Sequence, residues 1–164
     1  MTEWKYGNSW EKFPIEEGEI WQSGQSKIAV ADVRNPLPAF MQDADMIYCD
    51  PPWSKGNANS FVTKAGQDTY VSDFKDFMYA LFERIAWINP EVCYLEIGKQ
   101  HVEDFNERLG KIFPAIQTWP ITYYKKKPCY LIRGGPEAIK ADFSGMDEEN
   151  TPHATIEIEN PNYV

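Results

Sequence analysis

The 164-residue chain is 43% hydrophobic and 15% aromatic, enough for one domain with a real core, and no apolar run approaches the ~20 residues that a membrane-spanning helix needs. A net charge of −9 excludes a strongly basic, charge-driven nucleic-acid binder, because neutralising phosphates takes clustered Lys and Arg. Cys49, Cys93 and Cys129 lie in apolar runs, and their odd number leaves no complete pairing; with no signal-peptide pattern at the start, they predict reduced core residues in a cytoplasmic protein.

Residues 1–25 are aromatic and polar without a period and read as an irregular arm with one short strand at Glu19-Ile20-Trp21. "KIAVADV" (27–33) is β-branched and apolar and runs into Asp32 and then Arg34-Asn35-Pro36. It predicts a strand of the main sheet that delivers a carboxylate to the sheet's C-terminal edge. "LPAFMQ" (37–42) predicts a helical turn or two, and "DMIYCD" (45–50) a second buried strand that stops on two prolines. Residues 54–70 are small, polar and glycine-containing and predict a long loop. Phe74, Phe77, Met78, Leu81, Phe82, Ile85 and Ile88 recur at helical spacing, so a helix is expected over 72–88, capped by Ser72 and ended by Asn89-Pro90.

"EVCYLEIG" (91–98) predicts a third strand, and Val102, Phe105, Leu109, Ile112 and Phe113 mark a second helix ending near Pro114. "IQTWPITYYKK" and "KPCYLIRGG" read as two strands joined tightly around Lys126 to Pro128, and residues 136–164 as an acidic, extended tail. Residues 26–135 therefore predict one α/β domain whose mostly parallel sheet ends in an antiparallel hairpin. Ligands of such sheets sit beyond the carboxyl ends of the strands, where Asp32, Asp50 to Trp53 and Glu96 to Lys99 all fall.

The densest chemistry is Asp50-Pro51-Pro52-Trp53. A proline pair ends a strand, which a simple turn would also explain, but it also fixes the residues on either side. That suits gripping a small planar substrate by edge and face. If the substrate is a nucleobase with an exocyclic amine, its nitrogen is a poor nucleophile because the lone pair is delocalised into the ring. Asp50 and the Pro51 carbonyl could accept both amine hydrogens while the nitrogen rehybridises, and Trp53 could stack on the ring.

This tetrad resembles the catalytic signature of the amino-methyltransferases, which methylate adenine N6 or cytosine N4 with S-adenosylmethionine. An acid in first place with Trp in fourth is more typical of the adenine branch. The resemblance spans roughly residues 26–135 and implies a Rossmann-like methyltransferase sheet, with Asp50, Pro51, Pro52 and Trp53 as catalytic residues. It further implies methylation of adenine N6 in DNA, or in RNA, with the base flipped out of its stack. By position, Asp32, Cys49, Asp50, Pro152 and His153 would meet the cofactor.

Trp53, Ser54, Lys55, Asn57, Asn59, Lys99 and Lys125 would meet the substrate. Without the resemblance, Asn57 and Asn59 equally suit turns, and Lys55, Lys99 and Lys125 to Lys127 a solvated charge run. Glu96 and His101 read as structural, and two histidines with scattered cysteines give no metal-site spacing.

One departure shapes the expectation of partners. The family's glycine-rich Phe-x-Gly-x-Gly turn has no counterpart here, and "TPHATIE" (151–157) resembles the segment that precedes that turn in the permuted branch. The chain thus resembles the catalytic half of a permuted enzyme. That implies a homo-oligomer or a separate cofactor-binding subunit, with the strand ending at Asp32 either reached through a partner's strands or lying directly beside the strand ending at Asp50. The alternative is a catalytically inactive methyltransferase-fold subunit that binds nucleic acid or supports a partner. A small-molecule or protein side-chain amide substrate is a third reading.

Overall fold

The computed structural model describes residues 18–64, 71–123, 127–140 and 155–156. The first described elements are β1 (Ile20–Ser23) and β2 (Ser26–Ala29), antiparallel with Ile20 opposite Ala29 and Ser23 opposite Ser26. Gly24, at φ +58°, opens the two-residue turn between them, a position that favours glycine. The run 27–33 is therefore a strand only in its first part, and it belongs to a separate two-stranded sheet rather than to the main one. The physical reason is local: the Gly24 turn brings Ile20–Ser23 back onto the run at minimal loop-closure cost. Beyond β2 the chain leaves extended geometry, because Asp32 accepts the Arg34 N–H on its carboxylate (2.9 Å) and the Asn35 N–H on its carbonyl (2.9 Å).

The main sheet contains β3 (Met46–Cys49), β4 (Val92–Gly98), β5 (Ala115–Tyr123), β6 (Lys127–Gly135) and the two-residue β7 (Thr155–Ile156) in the order β3-β4-β6-β5-β7. Among the described strands only β3 and β4 are parallel, with Met46 opposite Val92 and Cys49 opposite Leu95; the other pairings are antiparallel. The expected mostly parallel sheet is thus corrected to a mixed one, because the run 27–33 does not join it while both hairpin strands do. The hairpin folds back so that β6 lies between β4 and β5. Thr155 and Ile156, from the region expected to be an extended tail, add to β5.

Three α-helices accompany the sheet among the described residues. Residues Lys55–Lys64 form α1, inside the segment expected to be a loop. Phe74–Ile88 form α2, and its cap is Asp73, whose carboxylate accepts the Lys75 N–H at 2.8 Å, rather than Ser72. It ends as expected: Asn89 turns left-handed at φ 55°, its N–H bonds the Ile85 carbonyl at 2.9 Å, and Pro90 follows. Val102–Leu109 form α3, shorter than expected because the Ile112 and Phe113 N–H groups fold back onto the Leu109 carbonyl. Single 3-10 turns occupy Ala39–Asp43 and Lys99–His101.

Strand alternation puts Cys93, Leu95 and Ile97 of β4 and Ile132 of β6 on one face, each fully buried. Against them pack Phe74, Met78, Leu81, Phe82 and Ile85 of α2 and Phe105 and Leu109 of α3. Phe82 and Phe105 meet edge to face with ring centres 4.9 Å apart. Cys93 and Cys129 are buried and Cys49 half-buried; burial pushes all three thiols up to about 12, so they behave as apolar residues. The opposite face carries Met46 and Tyr48 of β3, Tyr94 and Glu96 of β4, and Leu131 and Arg133 of β6. No helix among the described residues is long and apolar enough to cross a membrane.

Candidate functional site

The tetrad links the C-terminal end of β3 to α1. Pro51 is buried, Pro52 and Trp53 are half-buried, and Asp50 is exposed. The Trp53 indole Nε1–H donates to Asp50 Oδ1 at 3.1 Å, tying the ring and the carboxylate into one unit. The Trp53 carbonyl accepts from Gln100 Nε2 at 2.9 Å. Its side chain lies over Gly98 at the end of β4, so closely that a Cβ there would stand 3.3 Å from Trp53 Cβ. A backbone limited by two prolines is therefore fastened at its far end by the turn that follows β4.

The residues after the tetrad are engaged with the fold. Ser54 Oγ accepts the Asn57 N–H at 3.2 Å and bonds Asn57 Oδ1 at 3.0 Å, which starts α1. Lys55 Nζ donates to the Ser72 carbonyl at 2.7 Å, and Asn59 Oδ1 accepts the Val71 N–H at 2.8 Å. These four expected substrate contacts are thus engaged by the fold: Ser54 and Asn57 start α1, and Lys55 and Asn59 hold it against the chain leading into α2. Lys99 is exposed in the turn after β4, near the tetrad in the fold. Lys125, Pro152 and His153 lie outside the described residues.

Asp32 does not reach the rim as the C-terminal residue of a main-sheet strand. Its carboxylate is held by Arg34, whose Nη2 lies 2.5 Å from Oδ2 and whose Nε lies 3.0 Å from each oxygen, and that bonding holds it below the usual carboxylate range. Arg84 of α2 fixes the same segment through the Val33 carbonyl at 3.2 Å.

No protein-family model and no curated protein matches the chain.

The chemistry of the site therefore rests on its own atoms. Asp50 Oδ1 is taken by the indole, and Oδ2 accepts no hydrogen bond among the described residues, so one carboxylate oxygen faces solvent beside an oriented ring. Of the residues expected to meet S-adenosylmethionine, Asp32, Cys49 and Asp50 are among those described. Asp32 is committed to Arg34, and the Cys49 thiol packs half-buried against the core. No group of three His, Cys, Asp or Glu side chains suited to a metal occurs among the described residues.

Sequence reasoning missed three contributors. Gln100 and Gly98 position Trp53; Gly98 falls within the strand end expected at the rim, but its contact with Trp53, like that of Gln100, follows only from the fold. The third is Glu96, 6% exposed on β4, which accepts a hydrogen bond from the Tyr48 hydroxyl. Burial pushes the Glu96 carboxyl up; burial, then Asp50, pushes the Tyr48 phenol up. Period-2 alternation and the strand register put Tyr48 on the same sheet face as Glu96, a face the sequence pattern marks once the register is known. His101, expected to be structural, stacks 4.9 Å from the Phe74 ring, and burial lowers its pKa with help from Lys75 and against Asp104.

Proposed function

We propose that the protein takes part in S-adenosylmethionine-dependent methylation of the exocyclic N6 amine of adenine in nucleic acid, DNA in preference to RNA. The observation that supports it is the Asp50–Trp53 unit: a carboxylate and an indole joined at 3.1 Å, at the carboxyl end of the parallel β3–β4 pair. The free Oδ2 accepts one amine hydrogen and the Pro51 carbonyl the other, so the nitrogen lone pair turns out of the ring plane while Trp53 holds the base face. These groups orient the base and hold its protons. Incubating the protein with adenine-containing DNA and the radiolabelled methyl donor, then digesting to nucleosides, should yield N6-methyladenine. Asp50→Ala should lower that yield at least 100-fold, about the loss expected when a preorganised transition-state partner is removed; an unchanged yield would show that the tetrad has another task.

The outer edge of β3 favours a second reading. It has no strand beside it among the described residues, and the run ending at Asp32 is paired elsewhere. On this reading the chain supplies the base-binding tetrad while a partner supplies the donor pocket. Calorimetric titration of S-adenosylmethionine into the chain alone separates the two: binding supports a self-sufficient enzyme, and silence at millimolar donor supports the shared site.

A further inference from the structure

We propose that Tyr48, anchored by Glu96, forms a second aromatic wall of the base site beside Asp50; this rests on the reading of the tetrad as a base-binding device. Tyr48 lies on β3 and Asp50 is the residue that follows the strand, close enough for its charge to act on the Tyr48 phenol. The register sets Tyr48 opposite Tyr94, yet its hydroxyl bonds Glu96, one same-face position further along β4. The ring therefore leans toward the carboxyl ends of the strands, where Asp50 and Trp53 sit.

Its exposure is unusual for so constrained a group. Tyr48 is 59% exposed although its hydroxyl is tied to a carboxyl on a residue only 6% exposed. An exposed ring with a fixed tip offers a planar surface at little further entropic cost, which is what stacking on a base requires. Burying a carboxyl is costly unless it is hydrogen-bonded, and here the bond goes to a side chain that itself faces solvent. Nothing in the packing of the core requires that arrangement, since Glu96 and Tyr48 lie on the face opposite the α2–α3 core. The ligand chemistry is that of a planar base bearing an exocyclic amine: Asp50 reads the edge, and Tyr48 joins Trp53 in limiting where the ring can lie. Glu96 is a positioning residue, acting through Tyr48.

A short thymidine oligonucleotide carrying one central 2-aminopurine, whose fluorescence is quenched on stacking, tests the assignment. The full chain should bind and quench it. Tyr48→Ala should raise Kd about tenfold, within the range for losing one base–aromatic stack, and reduce the quench at saturation. Tyr48→Phe keeps the ring but loses the anchor and should show an intermediate effect. Glu96→Leu should match Tyr48→Phe, and Glu96→Gln, which can still accept from the phenol, should restore wild-type behaviour. A purely structural role for the pair would not order saturating quench in this way. If Tyr48→Ala and Tyr48→Phe bind and quench like the parent while Trp53→Ala loses both signals, the Tyr48 assignment fails and the tetrad reading stands. If the parent chain itself neither binds nor quenches, both fail.

Discussion

Replacing Gly98 with Ala separates the site from the fold. Gly98 sits at φ −67°, ψ 150°, ordinary extended backbone, so alanine adds no conformational strain. By restricting the unfolded chain it should even stabilise by about 0.4–1 kcal/mol. The opposing term is contact. The new Cβ would stand 3.3 Å from Trp53 Cβ and 3.7 Å from its Cγ and Cε3. Only the first distance is short of the ~3.5–4.0 Å optimum for carbon pairs, so the indole must retreat by a few tenths of an ångström.

Trp53 is half-buried and can yield, so the two terms should nearly cancel, leaving stability within about 1 kcal/mol of the parent and the melting temperature within about 4 °C. The site should be less tolerant. The same retreat stretches the 3.1 Å indole–carboxylate bond and rotates the stacking face. With a 1 Å misplacement costing about 100-fold, a shift of a few tenths should cost roughly three- to tenfold in methyl transfer. Thermal unfolding followed by circular dichroism, beside single-turnover transfer to adenine-containing DNA, reads both quantities. Undiminished transfer would refute the claim that Gly98 seats Trp53 for function; a loss of more than 3 kcal/mol in stability would show that the contact serves the fold instead.

Gly134→Ala should behave in the opposite manner, because its Cβ would fall 2.4 Å from Cδ2 of the buried Phe113 ring. Overpacking of that kind should cost about 1–3 kcal/mol, measured as a lower urea midpoint, with Phe113→Leu in the same chain recovering part of it. Asp73→Ala removes the cap of α2 and should cost about 1 kcal/mol in the same assay, with Ser72 unable to compensate. The Glu96 carboxyl titrates above its ordinary 4.5 in the folded state, so the folded protein keeps a proton that the unfolded chain has lost. Its contribution to stability is therefore fully present below the ordinary glutamate range and is lost as pH rises through the raised value. Urea midpoints across that range should decline with a slope that Glu96→Gln removes; a slope retained in the variant would assign it to another group.

The long apolar periods were legible. The helix 74–88 needed only its hydrophobic spacing and the Asn89-Pro90 stop, and β4 and the β5–β6 hairpin needed only their β-branched and aromatic runs. What pattern alone did not place depended on specific bonds, some between near neighbours and some between distant parts of the chain. The segment Lys55–Lys64 contains Gly56, Asn57, Asn59 and Thr63, all weak helix formers, and its helix exists because Ser54 caps it, Ala58 is buried and Asn59 is bonded to Val71. The run 27–33 has the composition of a sheet strand, and composition does not say which sheet; the Gly24-Gln25 turn, a two-residue hairpin signal, does. At the site the tetrad was visible as a motif, but Gly98 and Gln100 become relevant only once β4 ends beside β3. Asp32 showed the reverse: a carboxylate placed by pattern proved to be neutralised by Arg34, two residues away.

The tetrad is mounted on a short strand at an edge of the main sheet. Strand β3 has four residues and one strand neighbour among those described, whereas β4 is paired on both sides. Amides of Met46–Cys49 should consequently exchange with solvent through local opening, at a lower free energy than those of Cys93–Ile97, without the core unfolding. Any molecule that engages Asp50 or adds to the open edge then closes that local equilibrium by mass action. Occupancy of the site and order of its supporting strand become a single thermodynamic variable, which hydrogen exchange at residues 46–49 can follow.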